Sequence, residues 1–420
     1  MDNLTHTLAG LVVAETWIAL SPQRAALAGR TRRLFLGASV VANNLPDADF
    51  LYTYITPGKV GYLLHHRGHT HTLALGLALG LATYFLFARW LARRPPESEA
   101  LRRVERLGLL GLSLCGPLLH IALDGTNNYG VHPLWPANTS WFYGDSVFII
   151  EPWLWVAALP PLMVSARSRI GRYTAFALLL AGLALTWRFP NPVGFIVSLV
   201  LGAAGWSVLA ARLNERPRWL AAVGSWLGVT LVFALAAELA RRTVTESLGE
   251  GRGALVDLVT TPIPANPLCV SVITLEVSGD RYRASLAQVS LAPGLVPPES
   301  CPREREARTA RLELVSNTAS PPGLLWYGRW EGSRRELAKL AERCDVAAFL
   351  RFARIPFWLT LDSGALVVGD LRFDRSTQIE FAEMELPAKV GACPPNVPPW
   401  QPPREALVQA GASAGDGDGR

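Results

Sequence analysis

Four of the chain's seven histidines crowd into seven consecutive positions, HHRGHTH at 65–71, and all seven precede residue 133. Three further segments bring the same chemistry: LTH with His6, NLPDAD with Asp47 and Asp49, and HIALDGTNNYG with His120, Asp124 and Asn127. Neutral imidazole and carboxylate are the usual ligands of zinc and similar divalent cations. His120 and Asp124 are four apart at the end of an apolar stretch, which puts both on one helix face. A carboxylate in that setting needs a partner, and a cation is one. Asp47 and Asp49 are two apart and project to the same side of an extended or turn segment. They can bridge two cations, or divide as one ligand and one general base. Read as plain turn chemistry, PDAD instead caps the next element. In HHRGHTH, Gly68 lets the backbone approach a ligand closely. His66 and His71 flank it as ligands, and the Arg67 fork suits a phosphate or carboxylate. His65 and His69 fall to supporting or bystander positions. The other reading of the run is a set of solvated or interfacial histidines.

The elements that must position these residues are apolar. Half of the 420 residues are hydrophobic and only 18% are charged, below the ~25% of a soluble domain. That composition reads as a membrane protein. The net charge of +6 would suit a nucleic-acid partner, but the arginines sit between apolar runs, where they report membrane orientation, so no nucleic acid is expected. Apolar runs fall at roughly 5–20, 34–54, 69–88, 107–123, 147–164, 173–187, 193–211 and 219–240, against the ~20 residues a spanning helix needs. The run 34–54 is the weakest: NNLPDAD follows Val41, and Pro46 breaks a helix, so a half-helix dipping into a polar cavity is expected. Asp2, with no basic residue ahead of the first run, argues against a cleaved signal peptide.

Arginines cluster in alternate connections, 21–33, 89–106, 165–172 and 212–218. The positive-inside rule places these four in the cytoplasm, so loops 55–68, 124–146 and 188–192, and both termini, face outward. His6, Asp47, His66, His71, His120 and Asp124, from four distant segments, then meet one membrane face. Six ligands, with Asp49 as a seventh, exceed the need of one tetrahedral zinc and suit two or more ions. Glu15 falls about 2.5 turns from His6, on the opposite face, as a helix-pairing residue. Asp145 and Glu151 are favourable near a helix N-terminus without a catalytic role. His132 reads as an ordinary loop residue.

After Ala240 the character changes. VSVITLEVSGDRYRASLAQVSL alternates around an SGD turn, and FWLTLDSGALVVGDLRFD repeats the pattern around DSG. Between them RRELAKLAERCDVAAFLRFA has helical spacing. The expected fold is mainly α: a polytopic helical membrane domain of about eight apolar helices, some re-entrant, followed by a small mixed α/β extramembrane domain. The divisions are 1–145 for the metal site, 146–242 for additional transmembrane helices, 243–398 for the outer domain and 399–420 for a disordered tail. Cys269, Cys301, Cys344 and Cys393 lie in the outer domain; in an oxidising compartment they can form two disulfides by any of three pairings, or remain unpaired and buried.

MDNLTHTLAG, NLPDAD, HHRGHTH and HIALDGTNNYG together resemble, in order, the motif set of the YdjM-like family of inner-membrane proteins, over the first 145 residues. The C-terminal half, with TPIPANPLC and GDLRF, is similar to longer members. The resemblance implies a metal-dependent hydrolase embedded in the bacterial inner (cytoplasmic) membrane, distantly akin to zinc-dependent phospholipase C and single-strand nuclease folds. It implies His6, Asp47, His66, His71, His120 and Asp124 as ligands, with Asp49 and Arg67 also matching. Thr72 departs from an expected Ser, and His69 from an apolar residue. The expected function is hydrolysis of a phosphoester or ester by metal-activated water. Asp49 would take the proton, Arg67 would hold the anion, and a divalent metal such as zinc would serve as cofactor. The site faces the periplasm, and a lipid or lipid-linked phosphate from the bilayer is the expected substrate. A transporter or channel with a His/Asp ion pathway, and a scaffold with a structural metal, are the alternatives.

Overall fold

The computed structural model describes residues 1–27, 29–93, 98–189, 191–248, 253–302, 310, 312–315, 321–374, 378–387 and 391–409. Asp2 opens the first helix by accepting from the Thr5 amide at 3.0 Å, and α1 runs Asn3–Leu20. After a short α2 (Arg24–Leu27), α3 (Arg30–Asn44) ends where the sequence demands. Proline lacks an amide hydrogen and clashes with the preceding turn, so the chain passes into a 3-10 turn, Pro46–Leu51, carrying Asp47 and Asp49. Helix α4 (Lys59–His65) follows, then a 3-10 turn over His69–His71. Thr72 caps α5 (Leu73–Ala92), its hydroxyl accepting from the Leu75 amide. The helix thus starts later than the apolar run at 69, because HTH makes its own turn. Helix α6 (Glu99–Asp124) carries His120 and Asp124 in its last turns. Helices α7 (Pro152–Ser165), α8 (Arg169–Leu185), α9 (Val193–Arg212) and α10 (Glu215–Ser247) complete the helical part.

Five described helices are long and apolar enough to cross a membrane: α5, α6, α8 with its extension to Arg188, α9 and α10. The expected eight are not all reached. Helix α7 is apolar but shorter, and neither α1 nor α3 meets the same measure. These two instead pack against α6 around the site. Small residues allow the approach: a Cβ on Gly116 would lie 2.5 Å from the Ala42 Cβ, and one on Gly10 2.9 Å from the Ser39 carbonyl oxygen.

The arginine-rich connections gather at one end. Arg32 pairs with Glu15 across α1 and α3, which is the helix-pairing role expected for Glu15. Arg216 Nε donates to the Ala19 carbonyl at 3.1 Å, and Arg218 Nη1 to Ser165 Oγ at 3.0 Å. Thr31 donates to Glu105 at 2.7 Å, bringing the α5–α6 connection to the same end; residues 94–97 of that connection lie outside the described residues.

At the other end α10 runs into a sheet of β1 (Ala254–Ile263), β2 (Asn266–Ser278), β3 (Arg281–Ser290), β4 (Glu313–Leu314) and β5 (Leu324–Ser333), all antiparallel in the order β1-β2-β3-β5-β4. The SGD turn joins β2 to β3, with Gly279 at φ +59. The helical stretch splits at Glu342–Arg343 into α11 (Arg334–Ala341) and α12 (Cys344–Leu350). Strands β6 (Pro356–Thr360), β7 (Leu366–Asp370) and β8 (Glu383–Leu386) form a second antiparallel sheet, and α13 (Glu405–Gln409) ends the described chain. Disulfides join Cys269 to Cys301 and Cys344 to Cys393. The start of the expected disordered tail is ordered by packing: Trp400 is buried and its Nε1 donates to the Leu64 carbonyl at 2.7 Å. Residues 410–420, the glycine-rich end of that tail, lie outside the described residues.

One apolar core unites the two parts. Leu63, Leu64 and Tyr129 from the site-bearing segments pack with Phe352, Trp358 and Trp400. A buried Arg354 adds an ionic tie, reaching Asp145 at 2.8 Å and Asp257 at 2.7 Å. Asp145 was expected to serve a helix N-terminus; it is an ion-pair partner instead, because the loop folds back onto the sheet.

Candidate metal centre

The start of α1, the end of α6 and the two 3-10 turns meet at one point. Each brings a short polar side chain out of an apolar element. His71 Nε2 lies 3.0 Å from His120 Nε2, 3.4 Å from Asp47 Oδ1 and 3.2 Å from Asp124 Oδ2. His120 Nε2 lies 3.4 Å from Asp47 Oδ1 and 3.5 Å from Asp124 Oδ2. His6 Nε2 approaches Asp124 Oδ1 at 3.2 Å, and its ring stacks on His120 with centroids 3.6 Å apart. The Met1 amine also touches Asp124 Oδ1. Beside this cluster His66 Nδ1 lies 3.0 Å from Asp49 Oδ1. All six expected ligands and Asp49 therefore converge, from segments up to 118 residues apart. Asp47, His71, His120 and Asp124 form one group that could hold a metal ion, and Asp47, Asp49 and His66 a second.

The neighbours fix the chemistry of the donors. His120 Nδ1 donates to the Asn43 carbonyl at 2.5 Å, so its Nε2 lone pair faces Asp47 and Asp124. His71 Nδ1 lies 3.3 Å from Asp49 Oδ2, which leaves its Nε2 likewise turned inward. Two imidazole lone pairs 3.0 Å apart repel unless a proton or a cation lies between. Asp124 Oδ2 is buried with no hydrogen-bond partner. A divalent cation answers both needs, so the residues fit one. Burial pushes the Asp47 carboxyl up, but the facing His120 and His71 rings outweigh it and hold it well below the usual carboxylate range. Asp49 behaves alike, with His66 and His71 outweighing burial. Burial lowers His66 despite Asp49. Anionic carboxylates and a neutral imidazole are the forms that bind metal.

Two sequence expectations change. Asp49 was read as a general base, yet it is fully buried and its oxygens accept from His66 Nδ1, the Arg67 amide at 2.9 Å and Thr70 Oγ1 at 3.1 Å. A carboxylate so occupied orients its neighbours rather than collecting protons. His132 is not an ordinary loop residue. It is buried between Trp141 and Trp400, with centroids at 3.9 and 3.8 Å, and burial brings its pKa down to about 3. Arg67, expected as an anion clamp, is buried with Nε 3.0 Å from Asp124 Oδ2, without hydrogen-bond geometry, and Nη1 donating to Asn127 Oδ1 at 2.8 Å. His65 contacts Thr56 Oγ1 at 2.8 Å, and His69 packs on Trp135 and Trp400, both away from the cluster.

Sequence reasoning missed the Asn43 carbonyl, Thr70, and Asn3, whose Nδ2 donates to Asp47 Oδ2 at 2.9 Å. A carbonyl carries no sequence signal; paired asparagines before PDAD were the available hint. A cavity of about 310 Å³ opens beside His66 and Arg67, lined also by Asn127, Tyr129 and Phe381. The family model of the YdjM inner membrane protein matches residues 1–193. No curated protein and no solved structure matches the chain. The matched region contains every residue of the cluster, and over residues 1–193 this membrane protein is similar to the YdjM inner membrane protein family.

Proposed function

We propose that the protein is a membrane-embedded, metal-dependent hydrolase of phosphoesters or esters, working at the outward, periplasmic face. The observation that carries this reading is the convergence of His71 and His120 Nε2 with Asp47 and Asp124 oxygens, with the nearest atoms 3.0 Å apart. His71, His120, Asp47 and Asp124 would hold one cation, with His6 behind Asp124; Asp47 and His66, the latter oriented by Asp49, would border a second. Zinc suits these nitrogen and oxygen donors. Bound there, a divalent cation supplies Lewis acidity toward water and toward a phosphoryl or acyl oxygen. The protein's own groups do the positioning. The Asn43 carbonyl and Asp49 orient His120 and His71. Arg67 offsets the charge of Asp124.

The position of the cluster favours an enzyme over an ion pathway. His6 lies in the first turn of α1 and Asp124 in the last turn of α6, so the ionisable groups sit at helix ends rather than midway. Multiple ligands with partly exposed members, Asp47 at 12% and His66 at 16%, favour catalysis over a closed structural site. The test is metal analysis of purified protein, wild type beside His120→Ala and Asp124→Ala, with a screen of phosphodiester, phosphomonoester and carboxylic ester substrates. Wild type should carry divalent metal and hydrolyse one class; each variant should lose metal and activity together. Unchanged metal content in both variants removes the ligand assignment.

A further inference from the structure

His6, Asp49, His71, His120 and Asp124 are sealed from solvent, so approach to the cluster is through the partly exposed His66 and Asp47. His66 also lines the cavity described above. The polar end of that cavity is Asn127. Its Oδ1 accepts from Arg67 Nη1 at 2.8 Å and from the Tyr129 amide at 2.9 Å, which fixes the orientation of the amide. Its Nδ2 is then a buried donor with no hydrogen-bond partner. A buried unpaired donor in a native structure calls for an explanation, and an absent acceptor is one.

The other end is mainly apolar, with Glu380 also among its lining, and is shared between Tyr62, Tyr129, Phe148 and Ile149 of the family-matched region and Phe373 and Phe381 beyond it. Phe381 and Phe373 lie in the connection between β7 and β8, with ring centroids 5.3 Å apart. Phe381 meets Tyr129 at 6.0 Å and Tyr62 at 5.9 Å, and Tyr62 in turn meets His66 at 4.9 Å. Lys59 Nζ donates to the Ile379 carbonyl at 3.2 Å, tying this connection to α4. Phe148 and Ile149 line the cavity just ahead of α7, and Phe148 packs on Phe189 beyond the end of α8. That wall therefore stands at the ends of apolar helices, where a bilayer boundary would lie.

We infer that the substrate is an amphiphile from the bilayer, its phosphate or ester oxygen accepting from Asn127 Nδ2 and its apolar part packed on Phe381 and Phe373 of the C-terminal unit. This rests on the hydrolase reading for the fate of the bound molecule, but not for its binding. The volume is at the small end of the ~300–1,000 Å³ of small-molecule sites. It admits a headgroup and the first carbons of a chain, and excludes a folded macromolecule. The C-terminal unit is then a specificity element for a centre built by the N-terminal one.

The test compares binding of dodecylphosphonate and methylphosphonate, whose carbon–phosphorus bond resists hydrolysis, to the full-length protein as purified in detergent. Phosphorus NMR reads the two affinities. Wild type should prefer the dodecyl ligand by about tenfold or more, the effect of burying two methylenes. Phe381→Asn, an uncharged polar change at an exposed position, should erase that preference while leaving methylphosphonate binding and metal content in place. Phe381→Leu should restore most of the preference, and Asn127→Ala should weaken both ligands. Equal affinities in wild type, or an intact preference in Phe381→Asn, overturns the inference. Retained chain preference in a protein that hydrolyses nothing would strike the hydrolase reading alone.

Discussion

His71 and His120 present the same ring nitrogen to the cluster because each has its other nitrogen held, one by Asp49 and one by the Asn43 carbonyl. Ring orientation and tautomer are thus set before any ion arrives. This gives Asp49 a role that can be told apart from proton transfer. Asp49→Asn keeps the shape but puts an amide N–H2 beside His66, Thr70 or His71. We expect metal affinity to fall about 10–100-fold, the usual loss when a ligand's orienting partner goes. A general base predicts the reverse: metal retained and turnover lost. Equilibrium dialysis against zinc, beside turnover, separates the two. The residues of the cluster were legible in the sequence because four His/Asp segments recur in a chain otherwise poor in charge. The role of Asp49 was not, since hydrogen bonds from the Arg67 amide and Thr70 arise only when HHRGHTH folds over the PDAD turn. The burial of His132 was equally hidden, because Trp400 comes from the far end of the chain.

At the scale of elements, local chemistry was readable wherever a single residue forces the outcome. Pro46 ends α3, and glycine shapes the SGD and DSG turns. Span number was less readable, since apolar runs serve both as spans and as the packed wall of a site. Glu151 shows how such elements are joined. It caps α7 by accepting from the Trp153 amide at 3.0 Å, and accepts from the Ala265 amide at 3.1 Å in the turn between β1 and β2. Burial pushes its pKa up to about 8, against the lowering effect of those two bonds. The folded protein therefore keeps this proton where the unfolded chain has released it. Stability from this group is full below the unfolded value of about 4.3 and is lost as pH rises toward 8. Glu151→Gln keeps one of the two accepting oxygens, sets an NH2 against the other backbone amide, and cannot ionise. Thermal unfolding in detergent should show wild type losing up to about 1.4 kcal/mol per pH unit across that window relative to the variant. Parallel curves would show that Glu151 does not titrate there.

For the whole molecule, the geometry separates two ends. Arg32, Arg216 and Arg218 and their connections crowd one. The metal-site cluster, the sheets and both disulfides occupy the other, joined through the core of Leu64, Tyr129, Phe352 and Trp400. Sequence alone could place arginines in alternate loops, but not show that the alternate loops meet. Two independent physical tendencies support the orientation proposed above. Basic connections stay in the cytoplasm, and disulfides persist in oxidising compartments such as the periplasm. We expect alkaline phosphatase, which needs an oxidising compartment, to be active when fused after Arg420 and inactive when inserted in the connection between α9 and α10. A membrane-impermeant maleimide applied to intact spheroplasts should label the accessible pair Cys344 and Cys393 only after reduction. The same reagent should never label a cysteine introduced at Arg216. Active phosphatase at the α9–α10 connection, or no labelling of these cysteines even after reduction, would put the cluster on the cytoplasmic side. That outcome would leave the metal geometry intact but remove the outer-leaflet amphiphile as its substrate.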